Sequence, residues 1–455
     1  MILVPENQGL YESRYEHDAC GIGAVVNING RRDHAILEYG KQVLLNLHHR
    51  GAASADDITG DGAGILFQIP HDFFADVCKT QGIELSHPGT YGVGMVFGSK
   101  DPQLRARCDA ILERAIEHYG MKVLGWRDVP YKNDCLGPIA LQAEPSIKQL
   151  FVDGKAYRDE ALECRLFMAR KRAEKQVAAL GRQGDDFYVS TLSCRTICYK
   201  GMFMAWQLFA YYPDLSDERM TSALAIVHQR YSTNTFPNWK LAHPFRCIAH
   251  NGEINTLSGN RNCMRMREQN LKSPILGEDL SDLIPVLTPG ASDSANFDEM
   301  LELLVRAGRS MPHAMMMLIP EAFGARYHIS TDKRAFYEYH SSIMEPWDGP
   351  AAVAFTDGRK VGAMLDRNGL RPARYYITRR GKIVMASEVG VLDIDPIEIL
   401  EKGRLAPGKM LLVDTEKKRV LKDNEIKALV ARHKPYRHWL EQNKIELKGL
   451  LQVQS

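Results

Sequence analysis

A cysteine that becomes the first residue of a chain carries a nucleophile and a base on one residue, and Cys20 is placed to become one. It lies in the run Glu16-His17-Asp18-Ala19-Cys20-Gly21-Ile22-Gly23, behind a short polar leader. A thiol is a poor nucleophile until ionised, and most cysteine hydrolases ionise it with a neighbouring histidine. Cleavage of the Ala19-Cys20 bond would instead free an α-amino group, whose pKa of roughly 7.7–8 suits a base near neutral pH.

The other groups such a nucleophile needs lie far downstream. Arg230, in His228-Gln229-Arg230-Tyr231-Ser232-Thr233-Asn234-Thr235, follows an apolar run at 223–227. Its planar guanidinium suits an α-carboxylate. Asp293, in Ser292-Asp293-Ser294, offers a fixed carboxylate to an α-ammonium. The side-chain amide of Asn251 and the backbone N–H of Gly252 can hold the oxyanion of a tetrahedral intermediate. Together these groups read as a glutamine-hydrolysing site. Each also has a bland reading: Cys20 as a core thiol, Arg230 as a surface ion pair, Asn251-Gly252 as a hairpin turn, Asp293 as part of a helix-capping loop. His228, His243 and His250 stay outside catalysis, because an α-amino base makes them unnecessary and a strand histidine is more often a hydrogen-bonded core residue.

The elements that must hold these residues follow from periodicity. Residues 21–29 alternate as a strand, and Ile36, Tyr39, Val43 and Leu47 mark a helix. Glycine-rich 59–64 leads into a strand at 65–69, so it leaves a helix and opens a strand, the reverse of a dinucleotide loop. A strand is predicted over 91–97, helices over 103–119 and 160–180, a hairpin over 187–202, and strands over 223–231 and 246–249. Asn255 and Thr256 are candidate caps for a polar helix, and 296–307 is amphipathic. Hairpins are predicted around Asp357-Gly358 and Arg380-Gly381. Mixed helices and antiparallel strands imply an α+β fold.

Composition narrows the class. The 455 residues carry 25% charged residues and a formal net charge of +2, with neither a nucleic-acid footprint nor an acidic tail. The leader has no apolar stretch, and 314–319 is too short to span a membrane, so a cytoplasmic protein is expected. Nine cysteines form no disulfide-like framework. Cys194 and Cys198, on one strand, would stand roughly 13 Å apart and could not share a metal ion.

Several segments carry a family resemblance: Cys20-Gly21-Ile22-Gly23, His49-Arg50-Gly51-Ala52, Thr59-Gly60-Asp61-Gly62-Ala63-Gly64, Tyr199-Lys200-Gly201-Met202, 228–235 with Pro237 and Trp239, and His250-Asn251-Gly252-Glu253-Ile254-Asn255-Thr256. Ser292-Asp293-Ser294, Trp347-Asp348-Gly349-Pro350-Ala351 and Leu365-Asp366-Arg367-Asn368-Gly369-Leu370-Arg371-Pro372 complete the set. They resemble the amino-terminal glutaminase region of the glutamate synthase large subunit, a class II (N-terminal-nucleophile) glutamine amidotransferase. Purine-pathway and asparagine-forming relatives resemble a shorter domain, whereas about two hundred residues separate Gly51 from Asn251 here.

The resemblance implies a four-layer α/β/β/α sandwich, the hydrolase fold of N-terminal nucleophiles. It implies glutamine hydrolysis through a Cys20 thioester, with Asn251 and Gly252 at the oxyanion, and Arg230 and Asp293 on the substrate. Arg50 would lie beside the nucleophile and favour its thiolate, or merely complement a helix dipole. The expected plan is a leader at 1–19, an amidotransferase domain at 20–423, and at 424–455 the polar helical start of a linker to an absent synthase portion. In the intact enzyme that portion would use FMN, an iron–sulfur cluster and NADPH electrons from a small FAD-bearing reductase subunit to join ammonia to 2-oxoglutarate. No cofactor or metal is expected in this chain. The rival readings are a non-catalytic remnant or regulatory subunit that keeps the fold, and a thiol redox or metal protein.

Overall fold

Strand β1 (Gly21–Asn27) starts at the residue after Cys20 and is buried along its whole length. Ile22, Ala24 and Val26 face a second sheet, while Val25 faces a layer of helices. The structure, a computed structural model, describes residues 19–232, 235–277 and 279–445. The leader up to residue 18 and the segment 446–455 therefore lie outside the described residues.

The strands that follow are β2 (Ala63–Gln68), β3 (Tyr91–Gly98), β4 (Lys122–Asp128), β5 (Ser146–Asp153), β6 (Tyr188–Ser193), β7 (Thr196–Gly201), β8 (Leu224–Gln229) and β9 (Ile248–Gly252). The last third adds β10 (Ala351–Thr356), β11 (Lys360–Leu365), β12 (Arg374–Thr378), β13 (Lys382–Ala386), β14 (Ile399–Arg404), β15 (Met410–Asp414) and β16 (Arg419–Lys422). They form a seven-stranded sheet in the order β14-β12-β13-β1-β8-β2-β7, a five-stranded sheet β16-β15-β11-β10-β9, and a four-stranded sheet β4-β5-β3-β6.

The first two sheets pack face to face. Ile22, Ala24, Val26, Ile226 and Met385 of one meet Ala249, Ala354 and Val413 of the other. Burying an aliphatic side chain in this way is worth about 1.5–3 kcal/mol, so this layer fastens the strand ends that carry the site. Helix Ala35–Asn46 covers the outer face of the seven-stranded sheet, with Ile36, Val43 and Leu44 against Val25, Ile65 and Val227. Gly23 permits that approach, since a Cβ there would stand 2.3 Å from Val43 Cγ1. Helices Asp293–Arg306 and Met311–Leu318 cover the five-stranded sheet, with Phe297, Leu301 and Met315 against Ile248, Val353 and Phe355. The order helix, sheet, sheet, helix is the one the family resemblance implied. The four-stranded sheet, with helices Pro102–His118 and Asp159–Ala178, fills much of the long stretch between Gly51 and Asn251.

Three local expectations are corrected. Residues 187–202 do not form a paired hairpin: β6 joins β3 in one sheet and β7 joins β2 in another. The turn between them is held by the Ser193 hydroxyl, which accepts from the Arg195 and Thr196 N–H groups, and by Glu163, which accepts from Cys194 N. Cys194 and Cys198 consequently sit on either side of a turn rather than along one strand, and their thiols reach different carbonyls, Asp159 O and Pro244 O. Thr256 occupies the N-cap position of helix Leu257–Glu268, yet its hydroxyl donates to Asn260 Oδ1 and accepts from Asp348 N instead of capping. The hairpins β10–β11 and β12–β13 form around Asp357-Gly358 and Arg380-Gly381. Beyond β16, helix Asp423–Ala431 buries Ile426, Val430 and Ala431 in the same core as the five-stranded sheet.

Candidate active site

Cys20 stands where β1 begins, and the antiparallel register sets Gly21 against Gln229, so the chain leaving β8 passes beside the thiol. Tyr231 N donates to Cys20 Sγ at 3.3 Å, and Tyr231 O lies 3.4 Å from the same sulfur. The carbonyl can accept from a neutral thiol, and the N–H can stabilise a thiolate. Burial pushes the thiol pKa up; the Tyr231 N–H, Arg230 and Arg371 pull it down, and Asp61 opposes them. The described chain still joins the Cys20 nitrogen to Ala19.

Arg230 is buried at the end of β8. Its backbone N–H donates to Gly62 O at 2.8 Å, and its Nη2 donates to Thr235 Oγ1 at 2.7 Å. Its Nη1 is buried without a partner. Burial lowers its pKa, and the Cys20, Asp61 and Asp293 side chains act against that, which places all three within its field. Asp61 in turn holds the departing loop through Ser232 N, at 2.6 Å. Thr233 and Asn234 of this motif lie outside the described residues.

Asn251 and Gly252 end β9 in the facing sheet, and Gly252 pairs with Ala351 at the start of β10. Asn251 is buried, and its side-chain amide forms no hydrogen bond among the described residues. Gly252 has φ +145°, and a Cβ there would lie 1.8 Å from Pro350 O, so no other residue fits this turn of backbone. Asp293 is the first residue of its helix, with Ser292 as the cap. Its Oδ2 accepts from Ile254 N at 2.8 Å, and its Oδ1 accepts from Ser294 N at 2.7 Å. The carboxylate is thereby tied to the turn that follows the strand carrying Asn251.

The histidines behave as buried packing groups. His228 Nε2 donates to His250 O at 3.0 Å, bridging the two sheets, and its ring stacks on His243. Burial holds His228 down to about 3 and lowers His243 and His250 as well, so all three are neutral. Arg50 lies against Gly21, whose Cβ would meet its Cβ at 3.2 Å, and its Nε donates to Glu388 at 2.7 Å. Sequence reasoning assigned no role to Arg371, Tyr231 or Asp61, although each sits in a quoted motif. Arg371 Nε is buried without a partner, and the guanidinium acts on both Cys20 and His250.

Residues 20–439 match the family described as class-II glutamine amidotransferases. The chain belongs to that family. It is 47% identical over 446 residues, 98% of its length, to the glutamate synthase [NADPH] large chain of Bacillus subtilis, and 43% identical over 430 residues to ferredoxin-dependent glutamate synthase 2 of Synechocystis. It spans 29% and 27% of those two proteins. Among solved structures it is similar to a glutamine phosphoribosylpyrophosphate amidotransferase from B. subtilis, at 16% identity and a TM-score of 0.29, covering 73% of this chain and 48% of that one.

Among the described residues no three His, Cys, Asp or Glu side chains converge where a metal ion could sit. No helix among them is long and apolar enough to cross a membrane.

Proposed function

We propose that the chain hydrolyses the side-chain amide of glutamine, with Cys20 as nucleophile and, after removal of residues 1–19, its α-amino group as base. The observation that carries this reading is the unpartnered, buried Nη1 of Arg230 beside the thiol, a cation held ready for an anionic group of the ligand. Glutamine's α-carboxylate answers it, and Asp293 receives the α-ammonium. The Cys20 thiolate attacks the amide carbon, and Asn251 Nδ2 and Gly252 N–H hold the oxyanion. The carbon–nitrogen bond breaks as the ammonium proton of Cys20 passes to the departing ammonia. Water, deprotonated by the same amine, then cleaves the thioester to release glutamate. Arg50 packs beside Gly21 with its Nε on Glu388 and so steadies the start of β1 next to the thiol.

In a longer protein of the glutamate synthase kind, the ammonia would be joined to 2-oxoglutarate by a portion bearing FMN and an iron–sulfur cluster. The relatives are named for different electron donors, NADPH and ferredoxin, and NADPH through a small reductase subunit is the donor proposed here. Nine free cysteines suit a reducing cytoplasm.

The test is a comparison of the full 455-residue chain with a version beginning at Cys20, each verified at its amino terminus by mass spectrometry. Hydrolysis is expected only where Cys20 is the first residue, because an amide nitrogen has no usable basicity. Equal rates from both forms would sink the α-amino mechanism.

A further inference from the structure

A second cleft, of about 670 Å³, lies among the helices beyond the five-stranded sheet, and none of its lining residues belongs to the site around Cys20. Its charge is one-sided. Arg309 and Lys434 line it, and among the described residues no aspartate or glutamate does. Arg309 and Lys434 form no ion pair or side-chain hydrogen bond among the described residues. Arg309 is partly buried without a counter-charge, which is costly, and its field together with that of the exposed Lys434 attracts an anion. Burial lowers the Arg309 pKa, and the groups that oppose it are the hydroxyls of Tyr436 and Tyr339 rather than a carboxylate.

The wall beside these cations is aromatic. Tyr339 lies 5.2 Å from Tyr436 and 5.3 Å from Trp439, centroid to centroid. Such rings take a flat ligand face and draw cations to their own.

The floor holds an unused acceptor. His340 Nδ1 lies 2.7 Å from Phe336 O and so carries its proton there, which leaves its Nε2 to accept from His313 Nε2 at 3.0 Å. His313 Nδ1 is then a lone pair with no partner among the described residues, on a ring only 8% exposed. Burial and the nearby cations hold both rings neutral, at about 3 and about 4. A ligand hydroxyl or ring N–H satisfies that lone pair.

We propose that this cleft binds a ring-bearing phosphate of nucleoside-monophosphate size, its ring against Tyr339, Tyr436 and Trp439 and its phosphate on Arg309 and Lys434. The volume falls within the range of roughly 300–1,000 Å³ usual for small-molecule pockets. The inference is independent of the chemistry assigned to Cys20.

Isothermal titration calorimetry of the 455-residue chain with AMP, adenosine and inorganic phosphate tests it. AMP is expected to bind at one site, with adenosine and phosphate each about tenfold weaker or more. Arg309→Ala and Lys434→Ala should each weaken AMP about tenfold while leaving glutamine hydrolysis without AMP unchanged. Lys434 is exposed, so its variant carries the test if Arg309→Ala fails to fold. No heat with AMP, phosphate binding as tightly as AMP, or AMP affinity untouched by both substitutions would each overturn the proposal.

Discussion

At the scale of single residues, the thiol's reactivity is set by a contest between burial and two guanidinium groups, and Arg371 can be removed without touching the substrate anchors assigned to Arg230 and Asp293. Arg371→Met deletes one cation, so the Cys20 pKa should rise and less thiolate should exist at neutral pH. Alkylation by iodoacetamide should slow roughly threefold or more near pH 7, with the rate–pH curve displaced upward. An unshifted curve would show that Arg371 does not act on the nucleophile. Arg230→Lys keeps the charge and loses the bidentate fork, so KM should rise more than kcat falls. Asn251→Ala should do the reverse, lowering kcat by about 10²–10³ as lost oxyanion donors do elsewhere. Steady-state kinetics of both variants separate these roles, and a swapped pattern would mean they are misassigned. Cys20, Arg230, Asn251, Gly252 and Asp293 can be proposed from the sequence because each sits in a short motif whose side-chain chemistry is suggestive by itself. Arg371 cannot, because its relevance depends on the chain between β11 and β12 bringing it back to Cys20.

At the scale of elements, alternation located most strands but could not say which sheet each would join. Residues 187–202 show the limit: two strands and a tight turn read as a hairpin, whereas Glu163, from a helix, takes the turn's N–H and the strands part into different sheets. β7 also carries a buried amine. Lys200 Nζ donates to Lys240 O at 2.9 Å and lies 4.8 Å from the ring centroids of Tyr188 and Phe245. Burial lowers its pKa to about 7. An unfolded lysine titrates near 10.4, so between these values the unfolded chain holds a proton that the folded chain lacks, and stability rises with pH. Lys200→Met has no such proton. Across pH 7 to 10 the wild type should gain on it by about 1.4 kcal/mol per pH unit. Urea unfolding of both proteins at about pH 7.5 and 9.5 reads this difference. A constant gap would mean that the amine stays charged in the fold.

At the scale of the molecule, the question is where the ammonia goes. Hydrolysis alone converts one glutamine and one water into one glutamate and one ammonia. A second glutamate requires two electrons delivered to an imine of 2-oxoglutarate, hence a carrier seated within the protein. Among the described residues the layer between the two large sheets offers no such seat, since Ile22, Val26, Leu66, Ile226 and Met385 fill it against Ala249, Ala354 and Val413. Among the described residues no side chains converge to hold a metal cluster either. On the division of labour proposed above, the protein processed to begin at Cys20 should release ammonia and glutamate in equal amounts. Adding 2-oxoglutarate and NADPH should change neither the ratio nor the absorbance of the NADPH. Coupled assays of ammonia and glutamate on the same sample, with and without these additions, give the answer. Two glutamates per glutamine, with NADPH consumed in step, would show that this chain carries the synthase chemistry itself and that the proposed division of labour is wrong.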